Sequence, residues 1–132
     1  MNVYRFTFTI PANTPASRPA VAIWRIPAGS IRYFRIYIPS GHFGLAHMAI
    51  WHGGLQIAPL PEGEWFNGND GWIDFEPTLE VRGGEITLII AGYNEDEAYQ
   101  HSFHIYAYIE PAPTKPVSPY LVFMPAREVP IA

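Results

Sequence analysis

The chain contains no cysteine. A disulfide framework, a thiolate metal site and a cysteine nucleophile are excluded together. Charge is scarce as well: 8 Lys and Arg and 12 Asp and Glu in 132 residues give a net −4. Charged residues make up 15%, against about a quarter in an ordinary soluble domain. No basic run exists to track phosphates, so no nucleic-acid partner is expected. No acidic tail is present either. No apolar run nears the ~18 residues of a membrane span, so no membrane partner is expected. The opening MNVYRFTF lacks the basic-then-apolar order of a signal peptide. G-x-S-x-G, the phosphate loop, G-x-G-x-x-G and H-E-x-x-H are all missing, so neither an enzyme nor a cofactor is expected.

What the chain has is aromatics at 15%, 14 prolines and 11 glycines. Its length fits one domain that buries roughly two-thirds of its unfolded surface without a staple. Few charges and many rings fit either an aromatic β core or a surface covered by a partner.

Residues 3–10 alternate, with Tyr4, Phe6, Phe8 and Ile10 on one face and Arg5, Thr7 and Thr9 on the other. Further strands are expected at 20–26, 30–38, 45–51, 55–57, 72–75, 78–82, 85–93 and 101–109. In 30–38, Phe34, Ile36 and Ile38 point one way and Ile31, Tyr33, Arg35 and Tyr37 the other. Both sides are apolar or aromatic, so the second side is also a candidate for cover. Turn residues punctuate the strands and prolines sit at strand ends, as a ladder requires. No stretch shows helical periodicity with caps. The expected fold is all-β, an antiparallel β-sandwich of jelly-roll type over residues 1–110.

Two segments read as arms. PANTPASRP at 11–19 carries Pro11, Pro15 and Pro19 and is neither helix nor good strand. It is a plain connection or an arm lying on a neighbour. Residues 111–132 are proline-rich yet hold Tyr120, Leu121, Val122, Phe123 and Met124, too apolar for a free tail. They are expected to dock as an extended arm.

The stretch from 41 to 75 gathers Trp51, Trp65 and Trp72 with His42, His47 and His52. The histidines recur at odd spacing, as do His101 and His104, so no pair makes a simple same-face metal site on one strand. A metal enzyme built on them is the weakest of three readings, and no metal is assigned. Glu62, Glu64, Asp70, Asp74 and Glu76 crowd the same region, mostly in a loop of turn formers where acids are routine. NGNDG at 67–71 approaches a calcium loop but fails its ligand pattern, because Gly71 occupies a ligand position. Trp65 and Trp72 are candidates for stacking on sugar or a receptor; otherwise the rings are core or interface anchors.

The order of signals resembles a group of small β proteins of tailed bacteriophages and environmental viruses. TIPANTPAS follows the first strand, Pro27-Ala28-Gly29 closes the second and IPSG the third. GLAHMAIWHGGLQIAPLPEGEWFNGNDGWIDF and GYNEDEAYQHSFHI follow, and the resemblance spans residues 4–109. It implies an accessory virion component, a capsid decoration or head–tail subunit, assembled in the host cytoplasm. Such subunits are symmetric oligomers, often trimers, whose arms bind major capsid or head–tail neighbours. The residues proposed for such contacts are Pro11, Pro15, Tyr33, Tyr37, Trp51, Tyr120, Leu121 and Phe123. The alternative is a carbohydrate- or receptor-binding module using Trp65 or Trp72.

Overall fold

The computed structural model describes residues 1–77 and 81–112. The bulk of the expected C-terminal arm, with Tyr120, Leu121 and Phe123, lies outside the described residues. The described strands are β1 (Asn2–Ile10), β2 (Ala20–Ile26), β3 (Gly29–Ile38), β4 (Ala46–His52) and β5 (Leu55–Ala58). They continue with β6 (Gly71–Phe75), β7 (Val81–Gly83), β8 (Ile86–Asn94) and β9 (His101–Pro111). No helix occurs among the described residues.

The pairing is nested. β1 pairs β9, β2 pairs β8, β3 pairs β6 and β7, and β4 pairs β5, all antiparallel. A long two-stranded ribbon with its tip at Gly53-Gly54 would have this register. Further pairing of β3 with β9 and β4 with β8 rolls the ribbon up. Two sheets result, ordered β1-β9-β3-β6 (with β7 beside β3) and β2-β8-β4-β5. Successive strands mostly change sheet, and the architecture is the jelly-roll sandwich expected from strand spacing.

The inward positions of both sheets form one core. Phe34, Ile36, Ile38 and Phe103 from the first sheet meet Met48, Ile50, Leu88 and Ile90 from the second, all buried. Each such side chain contributes about 1.5–3 kcal/mol of transfer free energy. Backbones also approach closely. A Cβ at Gly92 would collide with the His47 carbonyl and with Ile10, so β4 can pair with β8 there only because Gly92 has no side chain.

Several strand ends differ from expectation by a residue, as at Leu45 and Asn94, and residues 78–80 of the strand expected at 78–82 lie outside the described residues. One difference has a geometric cause. The β3–β9 register shifts between Ile31 and Tyr33. The extra residue at that bulge turns Ile31 into the core instead of leaving it beside Tyr33. Tyr33, Arg35 and Tyr37 keep the outward side.

Candidate interaction surface

The outer face of the first sheet carries a four-strand grid. One row runs Val3, Tyr108, Tyr33; the next Arg5, Tyr106, Arg35, Asp74; the third Thr7, His104, Tyr37, Trp72. Strand alternation puts all of them on one side of the sheet. Tyr33 and Tyr108 stack with centroids 4.3 Å apart and planes 11° apart. Neighbouring strands are themselves only about 4.8 Å apart. Rings stacked face to face at that spacing must stand upright, turning edges and hydroxyls to solvent. Tyr37 pairs likewise with His104 at 6.1 Å and 18°. Tyr37 also meets Trp72 at 4.9 Å, and Trp72 meets Tyr106 at 5.7 Å.

Cations lock the rings. The Arg35 guanidinium lies 4.9 Å from the Trp72 ring centre and donates to Asp74 Oδ1 at 2.8 Å. Asp74, and then Tyr108, holds Arg35 still more firmly protonated than usual. Arg5 sits 5.7 Å over Tyr106 and donates to His104 Nδ1 at 3.2 Å. Thr7 lies 3.1 Å from the same nitrogen. Burial first, then Arg5, lowers the His104 pKa, so the ring is neutral at pH 7. Tyr33, Arg35, Asp74, Phe75 and Glu76 line an open cleft of about 550 Å³ at the grid's edge. Trp72 remains 51% exposed.

The second sheet's outer face is different in kind. Its rows are Val21, Ala91, Ala49 and Ile23, Ile89, Trp51, with His47 beside Tyr93. His47 stacks on Tyr93 at 4.3 Å. Trp65 packs edge-on against Trp51 at 5.9 Å and Tyr93 at 5.1 Å. It thereby bridges the two rows that flank Ala49 and Ala91, both of which are buried. Buried Gln56 holds the loop that carries Trp65. It donates to the Pro59 and Glu64 carbonyls at 2.7 and 2.9 Å and accepts from the Gly63 amide at 3.1 Å.

The polar cluster at one end of the sandwich is structural. Asn94 donates to the carbonyls of Ile10, Pro11 and Tyr99 and accepts from the Asp96 amide. Asp96 accepts from Ala98 and Tyr99 and holds His101 Nε2 at 2.8 Å. The Ala98 amide first, then His101, keeps the Asp96 carboxyl below its usual range. His42 is buried, lies 4.5 Å from His101 ring to ring, and donates from Nε2 to the Ser102 carbonyl at 2.9 Å. Its Nδ1 has no hydrogen-bond partner. Burial first, then His101, lowers its pKa. In the NGNDG loop, Asn69 Oδ1 accepts from the Gly41 and Phe43 amides, tying the loop to the 39–44 turn. No cluster of three or more candidate metal ligands occurs among the described residues.

The residues singled out in the sequence are thus distributed. Tyr33 and Tyr37 lie together on the first outer face, with Trp72 beside Tyr37. Trp51 and Trp65 lie on the opposite outer face. Pro11 and Pro15 sit in the 11–19 connection, where Asn13 and Thr14 bond to Asp96 and Asn94. The sequence reading missed Arg5, Arg35, Asp74, His104, Tyr106 and Tyr108 as one surface. A signal existed: His104, Tyr106 and Tyr108 alternate outward as Tyr33, Arg35 and Tyr37 do.

No family model and no curated protein matches the chain. Among solved structures it is similar to the VP2 subviral particle of infectious bursal disease virus, at 14% identity and a TM-score of 0.37. The match covers 83% of this chain and 33% of that one, so the chain spans about a third of that protein's length. A likeness of this degree carries no argument about function.

Proposed function

We propose that the protein is a non-enzymatic structural subunit of a virus particle, a capsid decoration or accessory component that binds neighbouring virion subunits. The observation that carries the reading is the upright aromatic–arginine grid on the first outer face. Tyr, Trp and Arg are the residue types enriched where protein surfaces meet. Here they are pre-ordered by mutual stacking, so little side-chain entropy is lost on docking. The resemblance of residues 4–109 to small phage β proteins supplies the virion context. An antibody against the chain should label purified virus particles from the source of the sequence. Label confined to the soluble fraction would end this reading. Arg35→Glu should release the chain from those particles while leaving its fold intact.

Trp72 supports a second reading, a carbohydrate- or receptor-binding module. Its exposed ring lies beside the Arg35–Asp74 pair and the open cleft. Sugar stacking needs a free ring face. Tyr33, Tyr108 and Tyr37 each have one face taken by a stacked neighbour and Arg35 covers one side of Trp72, which favours a protein partner. Glycan-array binding lost in Trp72→Ala and kept in Trp65→Ala would reverse that preference.

A further inference from the structure

We propose that β2 is a self-association edge. Two copies pair their β2 strands antiparallel about a two-fold axis at Ile23, joining two four-stranded sheets into one of eight. The inference rests on the geometry of this edge and not on the virion reading, and the two stand or fall separately.

β2 ends the sheet order β2-β8-β4-β5, and no other described strand pairs with its outer side. All seven residues pair with β8 without a register shift, so the edge is regular. Proteins usually blunt such an edge with a bulge, an internal proline, an inward charge or short length. β2 has none of these; its single charge, Arg25, points outward near the end of the strand. β5 and β6 are short, and β1 carries Arg5, Thr7 and Thr9 outward. The 11–19 connection does not cover β2 either. Thr14 pairs with Asn94, two residues past the Ala20–Gly92 pair, so it lies in line with β2 and not alongside it.

Two of the three outward side chains of this edge are apolar and bare, Val21 at 62% and Ile23 at 52% exposed, and the third is exposed Arg25. Val21 and Ile23 border Ala91, which is buried, and Ile89, which is half-buried, so the bare apolar surface is confined to the edge strand.

The occupant follows from symmetry within the strand. Pro19 and Pro27 stand at equal distance on either side of Ile23. An antiparallel copy centred on Ile23 sets each Pro19 opposite the partner's Pro27, beyond the ladder, where a missing N–H costs nothing. Inside the ladder, small Ala22 meets large Trp24 on the core side. Outside, Val21 meets the stem of Arg25, and Ile23 meets its own counterpart. No two charges of like sign face each other. Every position finds a complement in the same sequence, which an isologous contact requires. The resemblance implies symmetric oligomers, often trimers; this edge fits a two-fold contact.

A strand pair buries less than the ~800 Å² per partner of a stable dimer, so association is expected to be weak and concentration-dependent. Light scattering on the full chain, up to concentrations on the order of 1 mM, should show mass rising toward twice that of the monomer. Ile23→Lys should remain monomeric with an unchanged melting temperature, since Ile23 is already exposed in the single chain. The absence of cysteine allows a register test. Ile23→Cys should cross-link to a dimer under mild oxidation, because residues facing each other across the axis lie about 5 Å apart. Val21→Cys should not, because it stands roughly 13 Å from its symmetry mate. A monomer at every concentration, or a Val21→Cys chain that cross-links as readily as Ile23→Cys, would overturn the proposal.

Discussion

Gln56 shows how much one polar side chain can organise. Its three hydrogen bonds fix both ends of the 59–64 loop and so hold Trp65 over the second sheet. Gln56→Ala leaves two carbonyls and an amide without that partner, and should cost about 2–3 kcal/mol in urea denaturation. Tryptophan emission should shift to the red as Trp65 loosens. Gly92→Ala should be worse, because the added methyl group meets a backbone carbonyl that cannot move without parting β4 from β8. A loss of at least about 3 kcal/mol is expected. Neither role was legible in the sequence. Gln56 reads as an ordinary polar residue in a short strand, because its partners are backbone atoms placed by the fold. Asn94 likewise is a buried junction for three carbonyls. Side-chain pattern carries no record of such partners.

Strands were far more legible. Alternation located β1, β3 and β9 almost to the residue, because one buried face forces a period of two. It failed where a bulge breaks the period, which is why Ile31 reads as outward and packs inward. The first outer face was half legible: Tyr33 and Tyr37 stood out, while their stacking on Tyr108 and His104 depends on register between strands distant in sequence. The tryptophans were legible as residues but not as places, since Trp65 and Trp72 lie on opposite outer faces of the sandwich. That separation predicts different phenotypes. Trp65→Ala removes two ring contacts and should lower stability by about 1–3 kcal/mol in denaturant melts. Trp72→Ala, at a half-exposed site, should change stability by less than about 1 kcal/mol and act on partner binding instead.

For the whole molecule, acid should destabilise through histidine. Unfolded, His42 takes a proton near its ordinary 6.5; folded, burial and the adjacent His101 hold its pKa lower. On the acid side the unfolded chain therefore binds more protons. The stability that neutral His42 secures is complete above pH 6.5 and drains away as pH falls through the folded value. His104 acts in the same direction. The slope is at most about 1.4 kcal/mol per pH unit for each proton. Thermal melts from pH 7.5 to 5 should show the decline, and His42→Gln should flatten it. Asp96 adds a second loss below its ordinary 3.8, because its carboxylate is held charged in the fold.

The nested pairing also sets a clock. β1 begins at Asn2, and β9, its only ladder partner among the described residues, ends at Pro111. During translation at about 5–20 residues per second, the first strand emerges with nothing to pair with and waits on the order of ten seconds. β3 can pair β6 and β7 earlier, but its other side waits for the same arrival, since β9 runs between it and β1. The chain must therefore be synthesised through Pro111 before the first sheet can close, and closure over such separations is slow by the measure of local contacts. A fragment ending at residue 100 should stay unfolded by circular dichroism. A cell making this protein in quantity holds, at any moment, a population of partial chains whose first strand stands without its ladder until β9 is made.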